Sequence, residues 1–141
     1  MNVTALARRA GTTSETVRHY TDVGLLRPER NPDNGYRVYR KRDLDTLRFA
    51  LSARALGFTL ADIRELVEEA ESGQSPCQHT RELIEYRLAE VERQIHALQA
   101  RKARMREAMQ AWAEQPDCQP GDGSHICGLI ETFAREEVPN E

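Results

Sequence analysis

The most constraining feature of this sequence is a heptad repeat in its second half. Apolar or aromatic residues recur there at alternating intervals of four and three positions, with one lysine as the exception. We call this set the seam: Ile84, Leu88, Val91, Ile95, Leu98, Lys102, Met105, Met109 and Trp112. Such spacing puts a continuous stripe on one face of an α-helix and is typical of a coiled coil. A helix over residues 79–112 would be about 50 Å long. It cannot bury that stripe alone, so the sequence predicts a homodimer whose interface is formed by the apolar seam residues.

Two short helices are predicted at the start of the chain, over residues 4–10 and 13–20. Gly11 lies between them and supplies a left-handed turn at low cost. Either Thr12 or Thr13 can cap the second helix. Two short helices joined by a glycine-containing turn are the helix-turn-helix pattern.

A small hairpin is predicted to follow these helices. Asn34 and Gly35 both tolerate positive φ, so they indicate a tight turn. Residues 36–39 alternate as a strand does, which makes Val38 available for the core. A hairpin after a helix-turn-helix is a wing, and its Arg37 and Arg40 would lie against a phosphate backbone.

The remaining patterns complete a mainly α fold. Helices are predicted over residues 43–55 and 60–69, the second capped by Thr59 with Asp62 as the acid of a capping box. The prolines and glycines of residues 114–127 predict a loop, and residues 128–135 predict a short helix. The expected organisation is a winged helix-turn-helix DNA-binding domain (1–71), a linker (72–78), a coiled-coil dimerisation helix (79–114), a loop with a short helix (115–135) and a tail (136–141).

Charge is distributed unevenly along the chain. Residues 1–58 carry 11 Lys and Arg against 6 Asp and Glu, whereas residues 59–141 carry 9 against 17. A basic N-terminal module on an acidic body is expected of a protein that docks phosphate with one end. The first residues lack the pattern of a signal peptide. The apolar runs are far shorter than the roughly 20 residues that span a bilayer. We therefore expect a cytoplasmic protein without a membrane segment.

Three cysteines carry the remaining chemistry. In a reducing compartment Cys77, Cys118 and Cys127 indicate metal binding or redox chemistry rather than disulfides. Cys118 and Cys127 are separated by eight residues of a Gly/Pro loop that can fold both thiolates toward one ion. No base is recognisably partnered with any of the three cysteines, and the sequence has no Walker loop, no Rossmann glycine pattern and no triad-like set. An enzyme is therefore not expected.

Four segments together resemble the MerR family of bacterial transcription regulators. The order of a winged helix, a long helix and a terminal cysteine loop is also that of the family. The segments are Arg18-His19-Tyr20, Gly24-Leu25-Leu26, Gly35-Tyr36-Arg37-Val38-Tyr39 and Leu56-Gly57-Phe58-Thr59-Leu60-Ala61-Asp62-Ile63. The resemblance implies a homodimer with an antiparallel coiled coil that acts on promoter DNA and RNA polymerase. Transcription would be activated by untwisting and bending a promoter with a long spacer, which is a form of shape readout.

The resemblance also implies which residues contact DNA. The second helix would enter the major groove, and Arg18, Tyr20 and Arg37 match family positions that hold phosphates. Such contacts position a protein more than they read bases. The full expected set is Ser14, Glu15, Thr16, Arg18, His19, Tyr20, Arg37 and Tyr39.

Metal-sensing members of the family carry two cysteines in a loop like this one. In an antiparallel dimer Cys77 would lie beside the partner's loop, so the expected ligands are Cys77, Cys118, Cys127 and His125. Three thiolates suit divalent zinc, cadmium, lead or mercury, and Asp122 is an alternative further donor to zinc. The expected function is activation of a metal-resistance promoter.

Two alternatives remain for the signal. A pair of cysteines suits copper(I), silver or gold, and Pro120-Gly121-Asp122 resembles the loop of copper-type members. A regulator that responds to an organic or thiol-reactive effector is the other alternative.

Overall fold

The computed structural model of the chain describes residues 1–119, 121–123 and 125–137. These residues form a mainly α fold, as the sequence predicts, and divide into two compact units, Met1–Ala89 and Glu90–Glu141. None of the helices described combines the length and apolar character needed to cross a membrane. The elements are α1 (Val3–Ala10), α2 (Ser14–Asp22), β1 (Glu29–Arg30), β2 (Arg37–Val38), α3 (Lys41–Ala55), α4 (Leu60–Glu71), α5 (Cys77–Trp112) and α6 (Gly128–Glu137).

The core of the first unit is built from the apolar faces of α1–α4. Its largest fully buried side chains are Leu6, Val17, Leu26, Tyr39, Leu47, Ile63 and Leu66. The predicted turn between α1 and α2 is confirmed, because Gly11 adopts a left-handed φ of 74°. Thr13 caps α2 by accepting a hydrogen bond of 3.1 Å from the amide of Thr16. The end of α1 at Gly11 and the start of α2 at Thr13 therefore fix the orientation of α2 relative to α1.

The wing, which we define as the β1–β2 hairpin, differs from the predicted tight turn. The strands pair Arg30 with Arg37, and the amide of Asn31 donates to the carbonyl of Tyr36 at 2.8 Å. The loop therefore has four residues, 32–35. Gly35 has a φ of 74°, while no non-glycine residue in the described ranges has a positive φ. The hairpin is confirmed with Asn34 and Gly35 in its turn, but only Gly35 uses a positive φ. The Asn34 side chain instead accepts a hydrogen bond from the amide of Tyr36.

The wing also buries a different residue from the one predicted. Val38 is 36% exposed, whereas Tyr39 is only 1% exposed. The strand ends at Val38, and the amide of Tyr39 donates to the carbonyl of Met1 at 2.7 Å. Burial alternates along residues 36–39 in the phase opposite to the predicted one, so the Tyr39 ring enters the core and Val38 does not.

Side-chain carboxylates cap the N-termini of the next two helices, α3 and α4. α3 starts at Lys41, two residues before the predicted start, because buried Asp43 accepts the amide of Arg40 at 2.9 Å. The capping box predicted for α4 is confirmed. Asp62 accepts the amide of Thr59 at 3.0 Å, and the Thr59 hydroxyl accepts the amide of Asp62 at 3.1 Å.

The predicted long helix is confirmed as α5, which has 36 residues. It begins at Cys77, so this cysteine occupies the first turn of the helix rather than the predicted linker. The short helix α6 also forms and continues to Glu137, two residues beyond its predicted end. Residues 138–141 of the predicted tail lie outside the described residues.

Candidate DNA interface and candidate metal loop

Helix α2 presents a polar face to solvent and an apolar face to the core. Val17 and Tyr20 are buried, which anchors the helix. Glu15, Arg18 and His19 are exposed, and the smaller Ser14 and Thr16 are half-buried. All of the expected DNA-contacting residues on α2 except Tyr20 are therefore accessible at the surface. The structure therefore leaves one side of α2 available to a partner.

The two tyrosines of the expected DNA-contacting set lie in the core. Tyr20 is 6% exposed, and the Tyr39 hydroxyl is 2.7 Å from the hydroxyl of Thr21 at the end of α2. Direct DNA contact by Tyr39 stays a prediction, and its ring has almost no free surface in the single chain. Its hydrogen bond joins the wing to α2, so Tyr39 positions the two elements that carry the exposed cations.

Three arginines from α2 and the wing line one cleft. Arg18, Arg30 and Arg37 surround a space of about 370 Å³, together with Tyr36 and the first residues of α1. Arg30 donates to the carbonyl of Gly35 at 3.1 Å, and the guanidinium of Arg37 lies 3.7 Å from the carboxylate of Asp22. We call this space the arginine cleft. Several arginines around one open space suit the phosphates of a nucleic-acid backbone.

Two residues of this region were missed from the sequence. Arg30 lies opposite Arg37 in the hairpin, and Tyr36 at the end of the hairpin loop is 74% exposed. The register of the hairpin is the signal that could have found Arg30.

The cysteines predicted as metal ligands occur in both units. Cys77, at the first turn of α5, belongs to the first unit, and Cys118 and Cys127 belong to the second. All three are free thiols, with Cys127 half-buried and the others exposed. In the part of one chain that the structure describes, no three His, Cys, Asp or Glu side chains form a group that could hold a metal ion. A single chain thus does not assemble the predicted set. Pro120, part of the copper-type resemblance, lies outside the described residues.

The cysteine loop, residues 115–127, is held at its C-terminal end. The carboxylate of Glu131 accepts the backbone amide of His125 at 2.9 Å and that of Ile126 at 3.3 Å. The indole of Trp112 donates to the carbonyl of Leu129 at 3.2 Å. The exposed His125 is thus fixed through its backbone, next to Cys127.

Two residues in the first three turns of α5, His79 and Arg87, form ion pairs with carboxylates of α4. Arg87 donates two hydrogen bonds to the carboxylate of Asp62, at 2.7 and 2.9 Å. These bonds, opposed by burial and assisted by Thr59, lower the pKa of Asp62 from its ordinary 3.8 to about 2. His79 lies 2.9 Å from Glu69 and 3.5 Å from Glu65, and the Glu69 hydrogen bond raises the pKa of His79. His79 is therefore already engaged by carboxylates of α4.

The seam is largely uncovered on the single chain. Between 47% and 69% of each of six members is exposed: Leu88, Val91, Ile95, Leu98, Met105 and Met109. Isolated apolar side chains are common on protein surfaces, but a continuous stripe of this length marks an interaction surface. Helix α5 therefore carries an unpartnered apolar face.

Known proteins show the same organisation. The family descriptions "MerR HTH family regulatory protein" and "MerR, DNA binding" match residues 1–70 and 44–108. The HTH-type transcriptional regulator HmrR of Rhizobium leguminosarum bv. viciae is 34% identical over 120 residues, which are 84% of this chain and 92% of that protein.

Two solved structures extend the comparison. PbrR691 of Ralstonia metallidurans CH34, in complex with lead(II), has a TM-score of 0.71 at 24% identity over 94% of this chain and 98% of that one, which shows a shared fold. EcmrR in its DNA complex has a TM-score of 0.62 at 28% identity over 82% of this chain and 40% of that one. The family descriptions are of DNA-binding regulators and not of enzymes. With a winged helix-turn-helix, a long helix and a terminal cysteine loop in that order, the chain belongs to the MerR family of helix-turn-helix regulatory proteins.

Proposed function

We propose that this chain is a metal-responsive transcription regulator that binds promoter DNA as a homodimer. The arginine cleft carries the DNA-binding part, because it places Arg18, Arg30 and Arg37 beside the exposed face of α2. In this arrangement α2 enters the major groove and the wing lies on the adjacent backbone. The DNA complex of EcmrR, a relative over most of this chain, supports the same use of the fold. RNA polymerase at the promoter is then the protein partner, and the cytoplasm the place of action.

The partner proposed for the seam is a second copy of the chain. A stripe that is 47–69% exposed at six positions requires a long apolar helix as its complement, and α5 of another chain provides one. If the two helices run antiparallel, the first turn of one α5 lies near the end of the other. Cys77 of one chain then joins Cys118 and Cys127 of its partner.

The proposed signal is a thiophilic metal ion, most simply a divalent one. Three thiolates with His125 or Asp122 as a further donor match the ligand preferences of zinc, cadmium, lead or mercury. Binding would change how far the dimer bends and untwists a metal-resistance promoter. The complex of PbrR691 with lead(II) is a property of that protein and supports only the compatibility of this fold with a bound metal.

One observation favours a second candidate, a copper(I), silver or gold sensor. Cys118 and Cys127 lie in the same unit, without Cys77, and two thiolates suit a monovalent ion. Sensing by reactive thiols is a third possibility that needs no metal. These candidates differ in what Cys77 contributes.

Promoter binding and transcription in vitro test the proposal. Zinc, cadmium, lead, mercury and copper(I) are added separately to the full-length protein with polymerase. We expect a divalent ion to activate, Cys118→Ser to abolish the response and Cys77→Ser to reduce it. Gln78→Ala, next to Cys77, is the matched control. Activation by copper(I) alone with a silent Cys77→Ser would support the monovalent candidate. A protein that responds to none of the ions would refute metal sensing.

A further inference from the structure

A single carboxylate holds the backbone on the N-terminal side of Cys127. Glu131 lies four residues after this cysteine, in the first turn of α6. Its Oε1 accepts the amide of His125 at 2.9 Å, and its Oε2 accepts the amides of His125 at 3.2 Å and Ile126 at 3.3 Å. The two residues that precede Cys127 are therefore tied to the helix that follows it.

The same glutamate is also bonded to Cys127 itself. Its backbone amide donates to the carbonyl of Cys127 at 3.1 Å. Glu131 thus contacts three successive residues, 125–127, through two different groups. The backbone bond is the ordinary one at the start of a helix, so the part specific to Glu131 is the bonding of its carboxylate to residues 125 and 126.

Helix α6, which carries Glu131, is itself anchored to the end of α5. The Trp112 indole donates to the carbonyl of Leu129, and its ring meets Phe133 edge-on at a centroid distance of 5.9 Å. The guanidinium of Arg104 lies 5.6 Å from the centre of the Phe133 ring. Because the helix is fixed, a bond from Glu131 to the loop fixes the loop as well.

We propose that Glu131 is a positioning residue for the metal site, which holds the Cys127 end of the cysteine loop in its ligand-binding conformation before the ion arrives. The inference rests on the proposed metal sensing and adds to it a residue that does not coordinate the ion. Ordering a loop on binding costs conformational entropy, and contacts already present in the metal-free protein remove that cost. Cys127 is then the fixed ligand of the pair, while Cys118 lies in the exposed part of the loop.

Cadmium binding to the full-length protein tests this role. The titration is followed by the thiolate-to-cadmium charge-transfer absorption, in competition with a chelator. We expect Glu131→Ala to weaken cadmium binding about tenfold, the lower end of the range for residues that orient metal ligands. Glu131→Gln keeps an oxygen that accepts an amide and should recover most of the affinity. Glu136→Ala, which removes an exposed carboxylate of the same helix, should bind cadmium as the wild type does.

The outcomes separate this role from the proposed function. Wild-type protein without a thiolate–cadmium band would refute the divalent metal site, and with it the role of Glu131 at that site. A wild-type band with equal affinity in Glu131→Ala would leave metal sensing intact and overturn the positioning role, even if thermal stability fell. Equal losses in the Gln and Ala variants would also contradict it. If Glu131→Ala does not fold, Glu131→Met, which keeps much of the side-chain volume and removes both acceptor oxygens, takes its place with the same two outcomes.

Discussion

The ion pair between Asp62 and Arg87 gives the sharpest prediction about stability. The carboxylate of Asp62 is 6% exposed and the side chain of Arg87 is 19% exposed, so solvent screens the pair only weakly. The pKa of Asp62 falls from 3.8 to about 2, with the Arg87 hydrogen bonds as the largest cause. At 1.36 kcal/mol per pH unit, the whole shift corresponds to about 2 kcal/mol. Arg87→Met keeps the aliphatic stem of the side chain and removes the donors, so it should lower the free energy of unfolding by about 2 kcal/mol at neutral pH.

The sign of the pH dependence follows from the direction of the shift. A lowered pKa in the folded state stabilises the fold fully above 3.8, and this contribution is lost as the pH falls from 3.8 through about 2. The difference between wild type and Arg87→Met should therefore shrink over that range.

Urea unfolding of the metal-free protein measures this difference. It is followed by far-ultraviolet circular dichroism at one fixed protein concentration, because dimer stability depends on concentration. Arg81→Met, which changes an exposed arginine on the same helix, is the control and should unfold as the wild type does. Equal stability of wild type and Arg87→Met at neutral pH would refute the reasoning, as would a difference that persists unchanged in acid.

Three further predictions concern DNA binding and assembly. Arg30→Gln should weaken promoter binding about tenfold and reduce the log–log salt slope by about 2, because a dimer would lose two phosphate contacts. Fluorescence anisotropy measures both, and an unchanged slope would contradict the arginine cleft. Ile95→Asp should weaken dimerisation at least about 100-fold by placing a charge in the seam, while His96→Asp should not; sedimentation velocity distinguishes them. Tyr39→Phe should cost about 1 kcal/mol of stability through its lost hydrogen bond and leave DNA affinity unchanged. Loss of affinity without loss of stability would support Tyr39 as a DNA contact.

Local signals in the sequence were sufficient for the helices. The heptad repeat predicted α5, and the Thr59–Asp62 pair predicted the start of α4, because a periodic stripe and a helix cap depend on residues at most a few positions apart. The same holds for the end of α1 at Gly11, where one glycine supplies the required backbone conformation. These features need no knowledge of the rest of the fold.

Tertiary contacts decided what the sequence left open. Tyr39 is buried because its backbone pairs with Met1 and its hydroxyl meets Thr21, and strand alternation contains neither contact. The Asp62–Arg87 pair joins residues 25 positions apart on different helices. The Glu131 contacts span only five and six residues, but they were missed from the sequence because a carboxylate on a short helix is ordinarily solvated.

The contact of Trp112 with α6 has a practical consequence for following this protein in solution. Trp112 is the single tryptophan of the chain, and its indole is bonded to Leu129 and packed against Phe133. Intrinsic emission excited at the indole band therefore arises from one place, the junction that anchors the cysteine loop. Any event that loosens or tightens α6 on the end of α5 changes the environment of that fluorophore, so the protein carries its own optical probe of this junction.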